Sequence, residues 1–322
     1  MIRNKRFLFT IFFVALLLEL FAQQLPQFSQ GALNKFTYNP AYGGLERSLN
    51  IISTYRTQYT SILGNPKVFN VSADMPYYVW HGGIGFNFYH EKSGALSNEN
   101  LKFSYNYVQS AFGGLLSFGG RIGIDRISFD YSEIVTPDGD YQNGVFHNDP
   151  ILPLDFNSGI GMTYELGAYF MSNTIQGGFV IADVPNINQF GKNSIYQKAW
   201  YVNMFAEYTF RNVQDLLIKP SILVKVNKNV IQSDVCVMAE HIGGLYGGLS
   251  WRGYSSSSFD ALIFIMGGKI SDNIKLTYSY DMGTSELKTV QEGSHEFSLA
   301  IRLSSDFGRK VLPPVIYNTR DL

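Results

Sequence analysis

IKLTYSYDM, residues 274–282, puts Ile274, Leu276, Tyr278, Tyr280 and Met282 on one side of an extended chain and Lys275, Thr277, Ser279 and Asp281 on the other. Strand side chains alternate between faces, and no helix face, with its 3.6-residue period, collects either set. One aliphatic and aromatic face backed by one polar face suits a wall between lipid and a lumen. HEFSLAIRL, residues 295–303, repeats the pattern, with His295, Phe297, Leu299, Ile301 and Leu303 opposite Glu296, Ser298, Ala300 and Arg302. LKFSYNY, residues 101–107, repeats it again.

Worked outward from these segments, alternation and intervening turn residues predict strands near 48–57, 67–74, 80–91, 97–108, 115–129, 156–170, 174–183, 198–210, 215–226, 230–240, 243–253, 258–270, 273–283 and 294–304. That is about fourteen, an even number, as a closed up-and-down barrel requires. The connections sort as well. Counted from a periplasmic start, the outward loops include 130–155, 184–197 and 284–293, while the inward turns include Ser172-Asn173 and Ser271-Asp272. Outer-membrane barrels keep short turns in the periplasm and longer loops outside. The chain also holds 21 Tyr, 25 Phe and 3 Trp, and such residues gather at the two headgroup levels. Tyr77, Tyr78 and Trp80 sit at an inward turn; Tyr196, Trp200 and Tyr201 approach an outward loop. The fold expected is all-β, a transmembrane outer-membrane β-barrel of about 14 antiparallel strands with an N-terminal periplasmic or plug segment.

The chain opens MIRNKRFLFTIFFVALLLELFAQ, with Arg3, Lys5 and Arg6 before the apolar run Phe7 to Leu18 and a small residue at Ala22. This is the form of a secretory signal cut near Ala22. The run is shorter than the ~20 apolar residues that span a bilayer, and no later run is long enough to make a membrane helix. The expected division is a signal peptide over 1–22, a plug or periplasmic segment over 23–47, the barrel over 48–304 and a periplasmic tail over 305–322, integral to the cell outer membrane. Cleavage makes the formal charge slightly more negative than the -1 of the whole chain, which implies no attraction to nucleic acid or to anionic lipid. The single cysteine, Cys236, forms no internal disulfide; alternation places it among Gln232, Asp234 and Glu240 as a small lumen filler.

Signs of catalysis are sparse. His81, His90, His147, His241 and His295 are scattered, without ligand spacing, so no metal or cofactor is expected. Gly82-Gly83-Ile84-Gly85 and Gly243-Gly244 open no helix and so are not phosphate loops; glycine within strands marks bends and close backbone approach. No Gly-x-Ser-x-Gly occurs, and a hydrolase would need His295 or His241 beside an activated nucleophile. The predicted lumen face carries Lys102, Arg121, Glu207, Lys219, Lys225, Lys275 and Arg302 with Asp125, Asp234, Asp281 and Glu296. A pore that selects by charge lines itself with one sign, so both signs together predict internal ion pairs and a filled interior.

Residues 24–44, QLPQFSQGALNKFTYNPAYGG, have no regular period. Their Pro26-Gln27-Phe28-Ser29-Gln30 and Asn39-Pro40-Ala41-Tyr42-Gly43 runs resemble the PQFSQ-like and NPAYAG-like opening of the PorP/SprF family of type IX secretion system membrane proteins. The resemblance continues in YRTQYTSILGNPKVFNVSADMP at 55–76, DFNSGIG at 155–161, IKPSILVK at 218–225, LTYSYDM at 276–282 and GSHEFSLAIRL at 293–303. It implies a non-enzymatic outer-membrane barrel of Bacteroidetes-type bacteria that supports secretion or surface anchoring of adhesins by binding their C-terminal domain, with a link to gliding motility in some members. The partners it implies are that cargo and other secretion components, besides outer-membrane lipid. Residues 24–44 are expected to begin in the periplasm and pack into the barrel mouth through Phe28, Phe36, Tyr38 and Tyr42, with Gln27, Asn39 and Pro40 as further contacts. In the 130–155 loop, Tyr141 and Phe146 are the expected anchors for cargo, since buried aromatics dominate interface energies. The alternative function is a passive outer-membrane channel for small or apolar solutes, which a barrel of this size has room to house.

Overall fold

The computed structural model describes residues 27–140, 146–149, 157–185, 200–211, 215–227, 230–254, 258–284 and 286–303. The leader, the C-terminal tail, Tyr141 and Tyr196 lie outside the described residues.

The strands are β1 (Leu49–Thr57), β2 (Lys67–Tyr77), β3 (Gly82–Ser93), β4 (Leu96–Ala111), β5 (Gly114–Phe129), β6 (Asn157–Met171), β7 (Ile175–Pro185), β8 (Tyr201–Tyr208), β9 (Phe210–Arg211), β10 (Leu216–Val226), β11 (Ile231–His241), β12 (Leu245–Tyr254), β13 (Ser258–Ser271), β14 (Ile274–Gly283) and β15 (Ser294–Leu303). Sequential strands pair antiparallel, and β1 closes the ring on β15 from Leu49↔Leu303 to Thr57↔His295. β9 prolongs β8 in register, because Glu207 faces Ser221 and Phe210 faces Ile218 across β10. The ladder lapses between them at Pro220, which has no N–H to donate. The wall is therefore a closed ring of 14 strands, and strand ends fall within about three residues of those the alternation predicts.

Alternation sorts the faces. In β14, Thr277, Ser279 and Asp281 are buried in the interior while Leu276 and Met282 lie exposed on the outer wall. β4 shows the same order, with Asn100, Lys102, Ser104 and Asn106 inside and Leu101, Phe103, Tyr105 and Tyr107 outside. One end of the barrel, the turn end, carries only the short connections 78–81, 112–113, 172–174, 212–215, 242–244 and 272–273. The other, the loop end, carries the long connections 58–66, 130–156, 186–200 and 284–293. Short hairpins occur at the loop end too, as at Gly94-Ala95, so the sorting confines long loops to one end without excluding turns from it. By the rule for outer-membrane barrels the turn end is periplasmic. An aromatic cluster marks it: Trp80 stands edge-on to Tyr77 and Tyr105 at 5.2 and 5.9 Å. Trp251 and Phe259, 5.7 Å apart, mark the loop end.

The interior is occupied by residues 27–48. They comprise a turn, a single helical turn at Lys35–Tyr38 and a 3-10 turn at Pro40–Tyr42, and most are buried. The sequence reading starts this segment at the periplasmic mouth; the described chain starts instead near the loop end, where Gln58 Nε2 donates to Gln27 Oε1 at 3.1 Å. It descends to Gly44, whose N–H donates to Asp74 near the turn end at 2.8 Å, and there feeds β1. The segment thus runs the depth of the bore rather than resting in one mouth, because its polar backbone finds partners along the whole inner wall.

Candidate functional site

Two seats hold this segment, and both are built from the runs that carry the family resemblance. At the loop end, the N–H groups of Ser29 and Gln30 donate to Glu296 at 2.7 and 3.0 Å. Ser29 Oγ donates to Asp281 at 2.5 Å and accepts from Arg56 at 2.6 Å. Arg56 bridges Asp281 at 2.8 Å and Glu296 at 3.3 Å. Arg252 reaches Asp281 at 3.0 Å and Asp234 at 2.8 Å, and donates to the Phe28 carbonyl at 3.0 Å. The Phe28 ring packs edge-on against Tyr38 and Tyr89. Arg56, Asp281 and Glu296 belong to the YRTQ, SYDM and HEFSLAIRL runs respectively; these three and the PQFSQ run, up to 267 residues apart, meet at one point.

At the turn end, Asn39 Oδ1 accepts from Ala41 N–H at 2.9 Å, capping the 3-10 turn whose first residue is Pro40, the position proline favours. Asn39 Nδ2 donates to the carbonyls of Ala168 and Phe179, 3.1 Å each, tying the turn to β6 and β7. Tyr42 stands edge-on to Tyr169 at 5.1 Å and donates to Glu46. The wall here is lowered by glycine. A Cβ at Gly119 would lie 2.6 Å from Ala41 N, and one at Gly83 would lie 2.3 Å from the Gly43 carbonyl oxygen. Gly83, Asn106, Gly119 and Gly167 form one row across β3 to β6, and Asn106 donates to the Ala41 carbonyl at 3.3 Å. Of the glycines read in the sequence as close-approach positions, Gly83 belongs to this shelf and Gly85 lies against Phe36, whereas Gly243-Gly244 form the turn between β11 and β12. Overpacking typically costs about 1–3 kcal/mol, and each 1.4 kcal/mol is tenfold. Gly119→Val is therefore expected to speed tryptic cleavage after Lys35 about tenfold in detergent, with the barrel still migrating as a folded band.

A third charge cluster lies between the seats. Lys102 contacts Glu165 at 2.8 Å and Asp183 at 2.6 Å, and Arg121 contacts Glu165 at 3.0 Å while donating to the carbonyls of Phe36 and Thr37. Most of the mixed lumen charges are paired, as the sequence predicts. Lys219 and Lys275 share Glu240 at 2.6 and 3.5 Å, Lys35 meets Glu207 at 3.2 Å, and Lys225 lies over the Tyr38 ring. Arg302 pairs with Glu46 at the rim.

Sequence reasoning missed Arg56, Arg252, Glu165 and Asp183. The first three occupy inward positions of alternating strands and were open to the same count. Asp183 was not: at the register shift between Tyr164 and Leu166 it takes φ 52°, so Ala182 and Asp183 both point inward opposite Glu165.

The remaining candidates are not drawn together. Phe146 lies on the long loop, bridged to Asp140 and half exposed, far along the chain from the seats. His295 faces the outer wall, its Nδ1 2.8 Å from the Tyr278 hydroxyl. His147 is buried within the loop and His241 is exposed at the turn end. Cys236 is buried on the inner wall with Met238, Ala261, Ile263 and Ile265. Among the described residues no three His, Cys, Asp or Glu side chains converge as a metal site.

Among solved structures the chain is similar to the toluene transporter TbuX of Ralstonia pickettii, at 11% identity and a TM-score of 0.51, covering 83% of this chain and 92% of that one. It is also similar to the outer membrane protein Omp33 of Acinetobacter baumannii, at 7% identity and a TM-score of 0.46, covering 80% and 98%. Outer membrane phospholipase A of Escherichia coli matches at 9% identity and a TM-score of 0.36, covering 80% and 92%. At such identities the likeness to TbuX establishes the barrel fold alone. No curated protein matches the chain. The family model described as type IX secretion system membrane protein PorP/SprF matches residues 20–301, nearly the whole chain, and the protein belongs to that family.

Proposed function

We propose that this integral outer-membrane barrel of the type IX secretion system works as a plugged docking platform, holding the C-terminal domain of a secreted adhesin at its loop end. The observation that carries the reading is the bore itself. Residues 27–48 fill it between two seats of buried ion pairs and hydrogen bonds, so the strands frame a support rather than an open conduit. Gln27, Phe28, Asn39, Pro40 and Tyr42 are the plug's contacts. Function then runs through the ends of the barrel.

The loop end supplies apolar surface beyond the membrane. Leu63 is fully exposed on the 58–66 connection, Val135 and Phe146 lie open on the long loop, and Val290 on 284–293. Exposed apolar groups on a loop that a rigid scaffold positions suit protein contact, and Tyr141 with Phe146 are the anchors assigned here. Cargo released to the surface meets this end, and its retention there would couple to adhesion and, in gliding cells, to motility.

The test is capture of a purified cargo C-terminal domain by the protein in detergent or nanodiscs. Deleting residues 134–149, or replacing Phe146 with serine, is expected to weaken capture at least tenfold, the ~2 kcal/mol of a hot-spot aromatic. Undiminished capture by both variants would remove the loop from the proposal.

A further inference from the structure

The luminal segment does not sit centrally. Its aromatic side chains and the glycine shelf bring it against β3 to β7, and this leaves a cavity of about 360 Å³ on the other side, against β10 to β15 and the start of β1. Gln30, Leu33 and Lys35 of the segment form one wall and Met238, Glu240 and Ile52 stand opposite. Arg302, Glu46 and the 272–273 turn rim it, so it opens at the turn end, towards the periplasm.

Two features point to a ligand. The charges lining the cavity balance, five basic side chains against five acidic ones, and among them Lys35 answers Glu207, Lys219 and Lys275 flank Glu240, and Arg302 answers Glu46. Beside them Leu33, an aliphatic side chain inside a bore where most other segment residues are buried, keeps 39% of its surface exposed. Gln30 lines the same space with 3% exposure, its Nε2 held by Ser279 and the Glu296 carbonyl. An uncovered aliphatic side chain is costly in the empty site.

We propose that this periplasm-facing cup binds a short zwitterionic peptide of two or three residues. Its ammonium would lie against Glu240 or Glu207 and its carboxylate against Lys219, Lys275 or Arg302, with an aliphatic side chain over Leu33 and Ile52. A ligand of one net charge upsets a balanced lining, and a wholly apolar one strips water from ten charged groups without replacing it. The volume falls within the ~300–1,000 Å³ of small-molecule sites. The assignment is independent of cargo docking at the opposite end.

The probe is the tripeptide Ala-Leu-Ala, compared with the same peptide acetylated at its N-terminus and amidated at its C-terminus, titrated calorimetrically into the full-length protein in detergent. Binding of the free peptide at least tenfold tighter than the blocked one is expected. Glu240→Gln is expected to weaken it by a similar factor. Ala300→Trp, on the inward face of β15, fills the cavity, leaves every charge in place and is expected to abolish it. Equal affinity for the two peptides, absence of binding to the unaltered protein, or binding that survives Ala300→Trp would each overturn the proposal.

Discussion

Replacing Arg56 by alanine is expected to lower stability by about 3 kcal/mol, the lower end of the cost of breaking a buried ion pair. Arg56 is 1% exposed and spans Asp281 and Glu296, which are themselves buried. After its removal Arg252 still reaches Asp281, while Glu296 keeps only the amide donors of Ser29 and Gln30 and the low-dielectric surroundings of the bore. A buried carboxylate without its cation carries most of the penalty. The measurement is the urea midpoint of the heat-modifiable folded band, read in liposomes. Adding Glu296→Gln to Arg56→Ala is expected to recover a large part of the loss, since replacing both members of a buried pair removes the stranded charge. Arg302→Ala provides the contrast. Its pair with Glu46 sits half exposed at the rim, where screening holds the effect below about 1 kcal/mol. Equal losses from the two arginines would show that the loop-end seat is no stronger than a surface pair.

Deleting residues 23–44 is expected to convert a poorly conducting barrel into a conducting one, raising single-channel conductance in planar bilayers by about an order of magnitude. A ring of this many strands encloses more space than its own side chains fill. The segment occupies that space with Phe28, Phe36, Tyr38, Ala41 and Tyr42, all buried. The wall it leaves behind is lined with Lys102, Arg121, Asp281 and Glu296, which water rehydrates once the segment is gone, so the strands remain closed through their own ladder. Conductance of the intact protein equal to that of the deletion would remove the plug and restore the passive channel as the better reading. If the deleted protein neither conducts nor folds, Gly119→Val offers the same test through a milder displacement.

Alternation alone places nearly every strand, because each must put one face in lipid and the other inside, and a period of two is local information. The same count identifies Lys102, Arg121, Asp281 and Glu296 as internal, and their mixed signs announce pairing. Local signals also explain the turn at Asn39 and Pro40, a cap and a first-turn proline next to each other in the chain. What that count could not supply is which charge meets which. Arg56 and Glu296 pair because β1 closes on β15, a contact between the two ends of the barrel sequence. Asp183 belongs inside only because a bulge on β7 spoils the alternation that would have put it in lipid.

The direction of the N-terminal segment was likewise beyond local reading. The PQFSQ and NPAYGG runs are neighbours in sequence, yet one binds near the loop end and the other near the turn end, since the carboxylates that receive them are fixed at opposite ends of the strands. The sequence by itself therefore determined the barrel, its strand count and the polar character of its interior, through side-chain periodicity that each strand carries alone. Only the tertiary structure decided that the interior is filled along its depth, off-centre, leaving a cup at the periplasmic end, because that outcome depends on which distant strands lie side by side once the ring has closed.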